Sequence, residues 1–294
     1  MNAASIVFNN DDYLELTSYE QLAGKVAGWL QLCCEHKIDM VVLPALLGCL
    51  FDNGERYIND IIELSNAYKG MAICPGSYFE ADYADTYHSS CIIMEGEKIM
   101  EQRQIYLAKW EKGLGLSRGT ELNSISLRGL KLGIIISTDV FYPQVSRALA
   151  MSGVKLVLAP TAIIGSRNMS RQLAGLWQNV QANLFFGMES SFNGSFKGHD
   201  FHGSSIIHAP LDMTAGEDGF LALEGKSQKC AIITAELDNE KRKEAVRKFN
   251  TLGQLNIEAY KDIFMPSRNG GYHEQPIGKV VPVEAWRRQD KNKP

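Results

Sequence analysis

The sequence predicts an α/β fold in which sheets are covered by helices, and three observations carry that expectation. Short Val- and Ile-rich runs alternate with longer stretches of helical period. The two halves of the chain repeat one order, strand, helix, strand, helix and then a hairpin-like stretch, and no Pro- or Ser-rich linker parts them. In the first half the strand candidates are Ala4–Phe8, Asp39–Pro44, Met71–Ser77 and Ser90–Met94; in the second they are Leu132–Thr138, Val154–Pro160, Gly203–Ala209 and Cys230–Leu237. Further strands are expected near Gln104 and Met188. The stretch Ser18–His36 places Leu22, Val26, Trp29, Leu30 and Cys33 at three- and four-residue steps, with Ser18 able to cap the start. Glu55–Tyr68, Pro143–Ser152, Met169–Asn183 and Asn239–Asn250 follow the same helical pattern. Trp177, Phe185, Phe186 and Met188 read as a core stripe. One domain over residues 1–265 is expected, followed by a Gly-, Pro- and charge-rich tail at 266–294 whose VVPVEAW could dock on the body or on a second subunit.

Composition narrows the function. With 45% apolar and 22% charged residues in 294, the chain is long and apolar enough for a large core, which excludes disorder, collagen and coiled coil. Thirty Lys and Arg against 34 Asp and Glu leave a net charge of −4, so there is no basic excess to neutralise a nucleic-acid backbone. No run approaches the ~18 apolar residues of a membrane span, and the start lacks a signal-peptide pattern. The six cysteines, at 33, 34, 49, 74, 91 and 230, form no C-x-x-C, which fits free thiols in a reducing compartment. A cytoplasmic protein with no nucleic-acid or membrane partner is therefore expected.

Neither nucleotide-binding glycine loops nor H-E-x-x-H occur, and the His199, Asp200, His202 cluster reads more simply as a solvated loop than as a metal site. No metal and no cofactor are expected. More telling is Gly133–Asp139, GIIISTD, running straight into VFYPQVSRAL, because a strand-to-helix turn presents a side chain at the carboxyl edge of a sheet. Ser137 is the residue presented, and on an extended strand Asp139 would share its face.

At these residues the chain resembles the nitrilase superfamily, the carbon-nitrogen hydrolases, over about residues 1–265. DMVVLPAL at 39–46 resembles the family's D-hydrophobic-P-E-L, and RQIYL at 103–107 its R-K-x-H-L. GIIISTDVFYP at 133–143 resembles G-x-x-I-C-Y-D-x-R-F-P; FHGSSI at 201–206 and AELD at 235–238 match later motifs. The resemblance implies a four-layer α-β-β-α sandwich that associates into dimers or larger assemblies. It also implies hydrolysis or condensation of non-peptide C–N bonds by a glutamate that moves protons, a lysine that stabilises developing charge and a cysteine thiolate that attacks.

Carried over by position, the glutamate is Ala45, the lysine Gln104 and the cysteine Ser137. Thr138, Phe141 and Tyr106 depart from the pattern too, which argues against a single substitution introduced to trap a ligand. The expectation is a catalytically silent nitrilase-like protein that binds a small molecule or serves as a partner subunit, as a homo-oligomer or beside an active paralogue. The enzyme alternative is an unorthodox hydrolase or acyltransferase of a small amide, ureido or nitrile compound, acting through Ser137 or Cys49. Cys49, Glu111 and Thr138 are further pocket candidates; for Cys49 the plain reading is a buried space-filler, and for Glu111 a solvated residue beside Lys109 and Lys112.

Overall fold

The structure, a computed structural model, describes residues 1–225, 231–256 and 258. The first half carries strands β1 (Asn2–Ile6), β2 (Met40–Val42), β3 (Ala72–Cys74), β4 (Tyr78–Asp82), β5 (Asp85–Met94) and β6 (Glu97–Arg103). Its helices are α1 (Asn10–Glu15), α2 (Tyr19–Glu35), α3 (Gly54–Ser65) and α4 (Lys109–Gly113). The second half carries β7 (Ser124–Leu127), β8 (Leu130–Ile134), β9 (Leu156–Thr161), β10 (Phe186–Ser191), β11 (Gly194–Phe196), β12 (His199–Phe201), β13 (Ile206–His208), β14 (Phe220–Leu223) and β15 (Ile232–Glu236). Its helices are α5 (Pro143–Met151), α6 (Met169–Leu173), α7 (Leu176–Asn183) and α8 (Asn239–Phe249).

Two sheets result. One runs β15-β1-β2-β3-β5-β4 with β6 also on β5; the other runs β14-β13-β10-β9-β8-β7, and β11 with β12 forms a small hairpin. Each sheet has three parallel strands at its heart, β1-β2-β3 and β8-β9-β10, with antiparallel strands outside them. That is the two-fold echo of the sequence realised as topology.

Strand periodicity sorts the core into layers, because successive side chains point to opposite faces. Met40, Val42, Ala72, Cys74, Leu156, Leu158, Phe186 and Met188 meet in one buried cluster drawn from both sheets. Their neighbours Val41, Ile73 and Cys91 turn outward onto α2 and α3, against Leu22, Val26, Trp29, Leu30, Tyr57 and Ile61. On the other side Val157 and Ala159 face Val145, Leu149, Leu176 and Val180 of α5 and α7. Helix, sheet, sheet and helix therefore stack as the expected α-β-β-α sandwich. The central strands β2, β3 and β9 are buried on both faces, which is why they read as continuous apolar runs.

Several boundaries moved for physical reasons. The expected helix over 169–183 breaks at Gly175, whose ψ of −114° is non-helical and whose hydrogen takes the place where a Cβ would sit 3.0 Å from Val140 Cγ2. β5 begins five residues before the expected Ser90, because its polar first half pairs with β4. The strand expected to run to Thr138 stops at Ile134 and gives way at Ser137 to a 3₁₀ turn, Ser137–Phe141. Ser18 caps α2 as expected, its side chain accepting from the Gln21 N–H. Phe185, Phe186 and Met188 are fully buried, whereas Trp177 sits at the rim with its indole N–H donating to the Asp218 carbonyl at 2.7 Å.

The chain forms a compact unit over Met1–Leu252. A second unit, Gly253–Pro294, falls almost wholly outside the described residues, and with it the tail from Pro266 and its VVPVEAW segment. Cys230 is also outside them; the other five cysteines are free thiols.

One glycine positions the site directly. Gly76 links β3 to Ser77 at φ +84°, and a Cβ there would lie 1.9 Å from the Pro44 carbonyl oxygen. Gly76→Ala combines a left-handed backbone with a collision against main chain, and is expected to destabilise the fold by at least about 2 kcal/mol. Chemical denaturation of the variant checks it.

Candidate functional site

Five chain segments converge at one end of the sandwich. Ala45 and Leu46 follow β2; Ser77 follows the Gly76 turn after β3; His88 stands on β5; Gln104 comes directly after β6; and Glu111 lies in the first turn of α4. The 3₁₀ turn after β8 adds Ser137, Thr138 and Asp139 from the second sheet. All of these except Thr138 are at most 1% exposed.

A continuous run of hydrogen bonds connects them. The Leu46 N–H donates to Ser77 Oγ at 2.8 Å, and Ser77 Oγ lies 2.6 Å from His88 Nε2. His88 Nδ1 lies 2.5 Å from Gln104 Oε1 and 2.8 Å from Glu111 Oε1. The Gln104 amide then donates to Glu111 Oε2 at 3.0 Å, to Thr138 Oγ1 at 2.8 Å and to the Tyr106 carbonyl at 3.0 Å. Glu111 Oε2 also accepts from the Ala108 N–H at 2.6 Å. This run joins Leu46, the residue after Ala45, to Gln104 and to Thr138, the residue after Ser137.

The partners assign the proton on His88. Gln104 Oε1 and Glu111 Oε1 both accept, so Nδ1 must carry a hydrogen. Nε2 is then free to accept from the Ser77 hydroxyl when the ring is neutral, and donates to it when the ring is charged. Glu111 is fully enclosed rather than solvated, which corrects the plainer reading of its flanking lysines.

The remaining candidates are committed elsewhere. Ser137, at φ +48°, donates its hydroxyl to the Ala162 carbonyl at 3.2 Å. The 3₁₀ turn separates it from Asp139, which does not share its face. Asp139 instead accepts from the Ile105 N–H at 2.9 Å and the Tyr106 N–H at 2.6 Å. Thr138 donates to the Tyr106 carbonyl at 2.8 Å. Cys49 is buried with its sulfur 3.9 Å from the Ser77 carbonyl oxygen, and burial, with Glu111 nearby, pushes its thiol well above the usual range. Ala45 belongs to an apolar cluster with Leu47, Trp110, Ala162 and Phe201. A cavity of about 360 Å³ beside Arg103 and Arg118 takes in none of Ala45, Gln104 and Ser137.

His88 and Ser77 were missed by reading the sequence. The available signal was a lone histidine leading into the small and apolar half of a strand, HSSCIIM, and a serine directly after a Pro-Gly turn. His199 packs its ring against Trp110, with centroids 6.0 Å apart, as part of the β11–β12 hairpin. A second buried pair, Glu189 and His208 with Oε2 to Nε2 at 3.1 Å, lies on the second sheet and was also unforeseen.

Desolvation raises the Asp139 carboxyl from 3.8 to about 7, against two backbone donors and His88 that favour its charge. An acid with a raised folded-state pKa holds its proton more tightly when folded, so its contribution to stability is full below about pH 4 and is lost as pH rises to about 7. Asp139→Asn is therefore expected to flatten the fall in stability across that window. It costs about 1–3 kcal/mol at the acid end, because an amide cannot accept both N–H groups. Urea unfolding at several pH values reads both effects.

Comparison with known proteins follows the geometry. The family model for carbon-nitrogen hydrolase matches residues 14–245. A carbon-nitrogen hydrolase from Helicobacter pylori G27 superposes with a TM-score of 0.74 at 20% identity, covering 90% of this chain and 97% of that one. A cysteine-to-alanine mutant of the Nesterenkonia AN1 amidase, from the nitrilase superfamily, gives 0.73 at 16% identity with the same coverage. A further mutant of that amidase, showing covalent addition of the acetamide moiety of fluoroacetamide at its active-site cysteine, gives 0.72 at 16%, covering 89% and 96%. No protein of curated function matches the sequence. At these identities the solved structures support the sandwich, while the family model spans most of the chain: the protein belongs to the carbon-nitrogen hydrolase family.

Proposed function

We propose that this chain is a catalytically silent member of its family, a soluble cytoplasmic protein that binds a small molecule or serves as a partner subunit, as a homo-oligomer or beside an active paralogue. The observation that carries the reading is the state of Gln104. At the position aligned with the family's lysine it has no charge, and its amide is spent on His88, Glu111, Thr138 and Tyr106. Ala45 supplies no acid or base, and Ser137 supplies a hydroxyl already given to a carbonyl.

The magnitudes favour silence. Loss of a general base removes about a hundred- to ten-thousand-fold in rate. Loss of a group that stabilises the oxyanion removes about a further hundred- to thousand-fold. An unassisted serine is also a far weaker nucleophile than a thiolate. Rescue by Cys49 meets a buried thiol held protonated at neutral pH.

The test pairs turnover with labelling. The purified full chain is expected to hydrolyse no simple amide, ureido compound or nitrile above the uncatalysed rate, and to gain no acetamide mass at Ser137 or Cys49 after treatment with fluoroacetamide. Turnover lost on Ser137→Ala or Cys49→Ala, or an adduct on either residue, would overturn the reading.

A further inference from the structure

The geometry points to a second kind of chemistry in the same cluster: we propose that Ser77, His88 and Glu111 form a Ser–His–Glu relay able to take an acyl group from a small uncharged ester. The silence proposed above concerns the family's chemistry on C–N bonds at 45, 104 and 137; this inference goes beyond that reading, with other residues and C–O bonds. A serine nucleophile needs a base within hydrogen-bond reach, and the base needs a carboxylate on its other nitrogen. Here Ser77 Oγ is 2.6 Å from Nε2 of His88, and Nδ1 is 2.8 Å from Oε1 of Glu111. Because both partners of Nδ1 are acceptors, the neutral ring is held as the tautomer whose Nε2 lone pair faces the serine. Gln104 Oε1 and the donors on Glu111 Oε2 fix the orientation of imidazole and carboxylate together.

The step balances within these groups. Ser77 Oγ bonds to the ester carbonyl carbon as its proton passes to His88 Nε2. The Leu46 N–H donates to Ser77 Oγ at 2.8 Å and stabilises negative charge on that oxygen as its proton leaves. The C–O bond to the alcohol then breaks, the alcohol leaves with the proton from Nε2, and an acyl-Ser77 remains for water to hydrolyse by the same path.

Surroundings and cover set the substrate class. Phe79 stands with its ring 5.6 Å from that of His88, and Ala45, Leu47 and Cys49 are buried in the adjoining apolar cluster, which suits a small acyl group without charge. Ser77 is fully enclosed, so acylation requires its cover to open. The 3₁₀ segment Leu47–Asp52 is the cover this proposal assigns, because its Gly48 N–H donates to the Ser77 carbonyl at 3.0 Å. Leu46, Phe51 and Asp52 in and beside it hold left-handed φ of 62°, 61° and 50°, a conformation costly for non-glycine residues.

The test treats the full chain with a fluorophosphonate and with p-nitrophenyl acetate, and maps adducts by peptide mass spectrometry. The expected result is an adduct on Ser77 that forms at least about a hundredfold more slowly in His88→Asn, with the rate rising as the histidine loses its charge. Thermal unfolding of His88→Asn and Ser77→Ala checks that both still fold; if His88→Asn does not, the pH profile of the wild-type rate stands in for it. No adduct on Ser77 in the folded protein, or one whose rate is independent of pH and of His88, would overturn the proposal. Amide, ureido and nitrile assays run in parallel report on the silent reading separately.

Discussion

A carboxylate with no access to water is the constraint on which this end of the molecule depends. Taking Glu111 out of solvent costs several kcal/mol unless its oxygens are matched by donors. The match is complete: His88 Nδ1–H serves one oxygen, and the Gln104 amide and Ala108 N–H serve the other. His88 and Gln104 are in turn held by Ser77 and Thr138 of other segments, so removing one partner leaves polar atoms of the others unpaired. In a site of low dielectric such a network is strong when satisfied and costly when broken. Five segments of chain are thereby tied to one another around a single charge.

The same network fastens the two sheets. Gln104 follows the first sheet and Thr138 the second, and Asp139 of the second reaches back to two N–H groups beside Gln104. Elsewhere between the layers, Ser190 and Ser205 both donate to the Ile6 carbonyl at 2.7 Å, and Asn193 donates to the Phe8 carbonyl. Apolar packing supplies most of the attraction between sheets but tolerates sliding; these directional bonds specify the register in which the layers meet.

Much of the architecture was legible because strand and helix periods are local properties. Val41 and Val42 alternate between the two cores, and Leu22, Val26 and Trp29 repeat at helical steps, so the layers follow from spacing alone. The family resemblance was legible too, since ordered motifs lie around Ala45, Gln104 and Ser137, and the family model matches residues 14–245. What spacing could not convey was partnership across the fold. His88 and Glu111 are separated by 23 residues, and Ser77 and His88 by 11, and nothing in their immediate neighbours announces a contact made by strand pairing and a following helix. The same blindness made Glu111 look solvated beside its lysines, and left Glu189 and His208 unnoticed. Ser137 was read correctly as a turn residue, but a left-handed φ, which turned it from Asp139, is not encoded in the alternation of a strand.

A thermodynamic double-mutant cycle between His88 and Glu111 tests the central claim most directly. His88→Ala and Glu111→Gln, alone and together, are compared by chemical denaturation at neutral pH. If the enclosed carboxylate and imidazole hold this end of the fold, the single losses exceed their joint effect by at least about 1 kcal/mol of coupling. Losses that simply add, within about 0.5 kcal/mol, would mean the two groups act independently and would contradict the account.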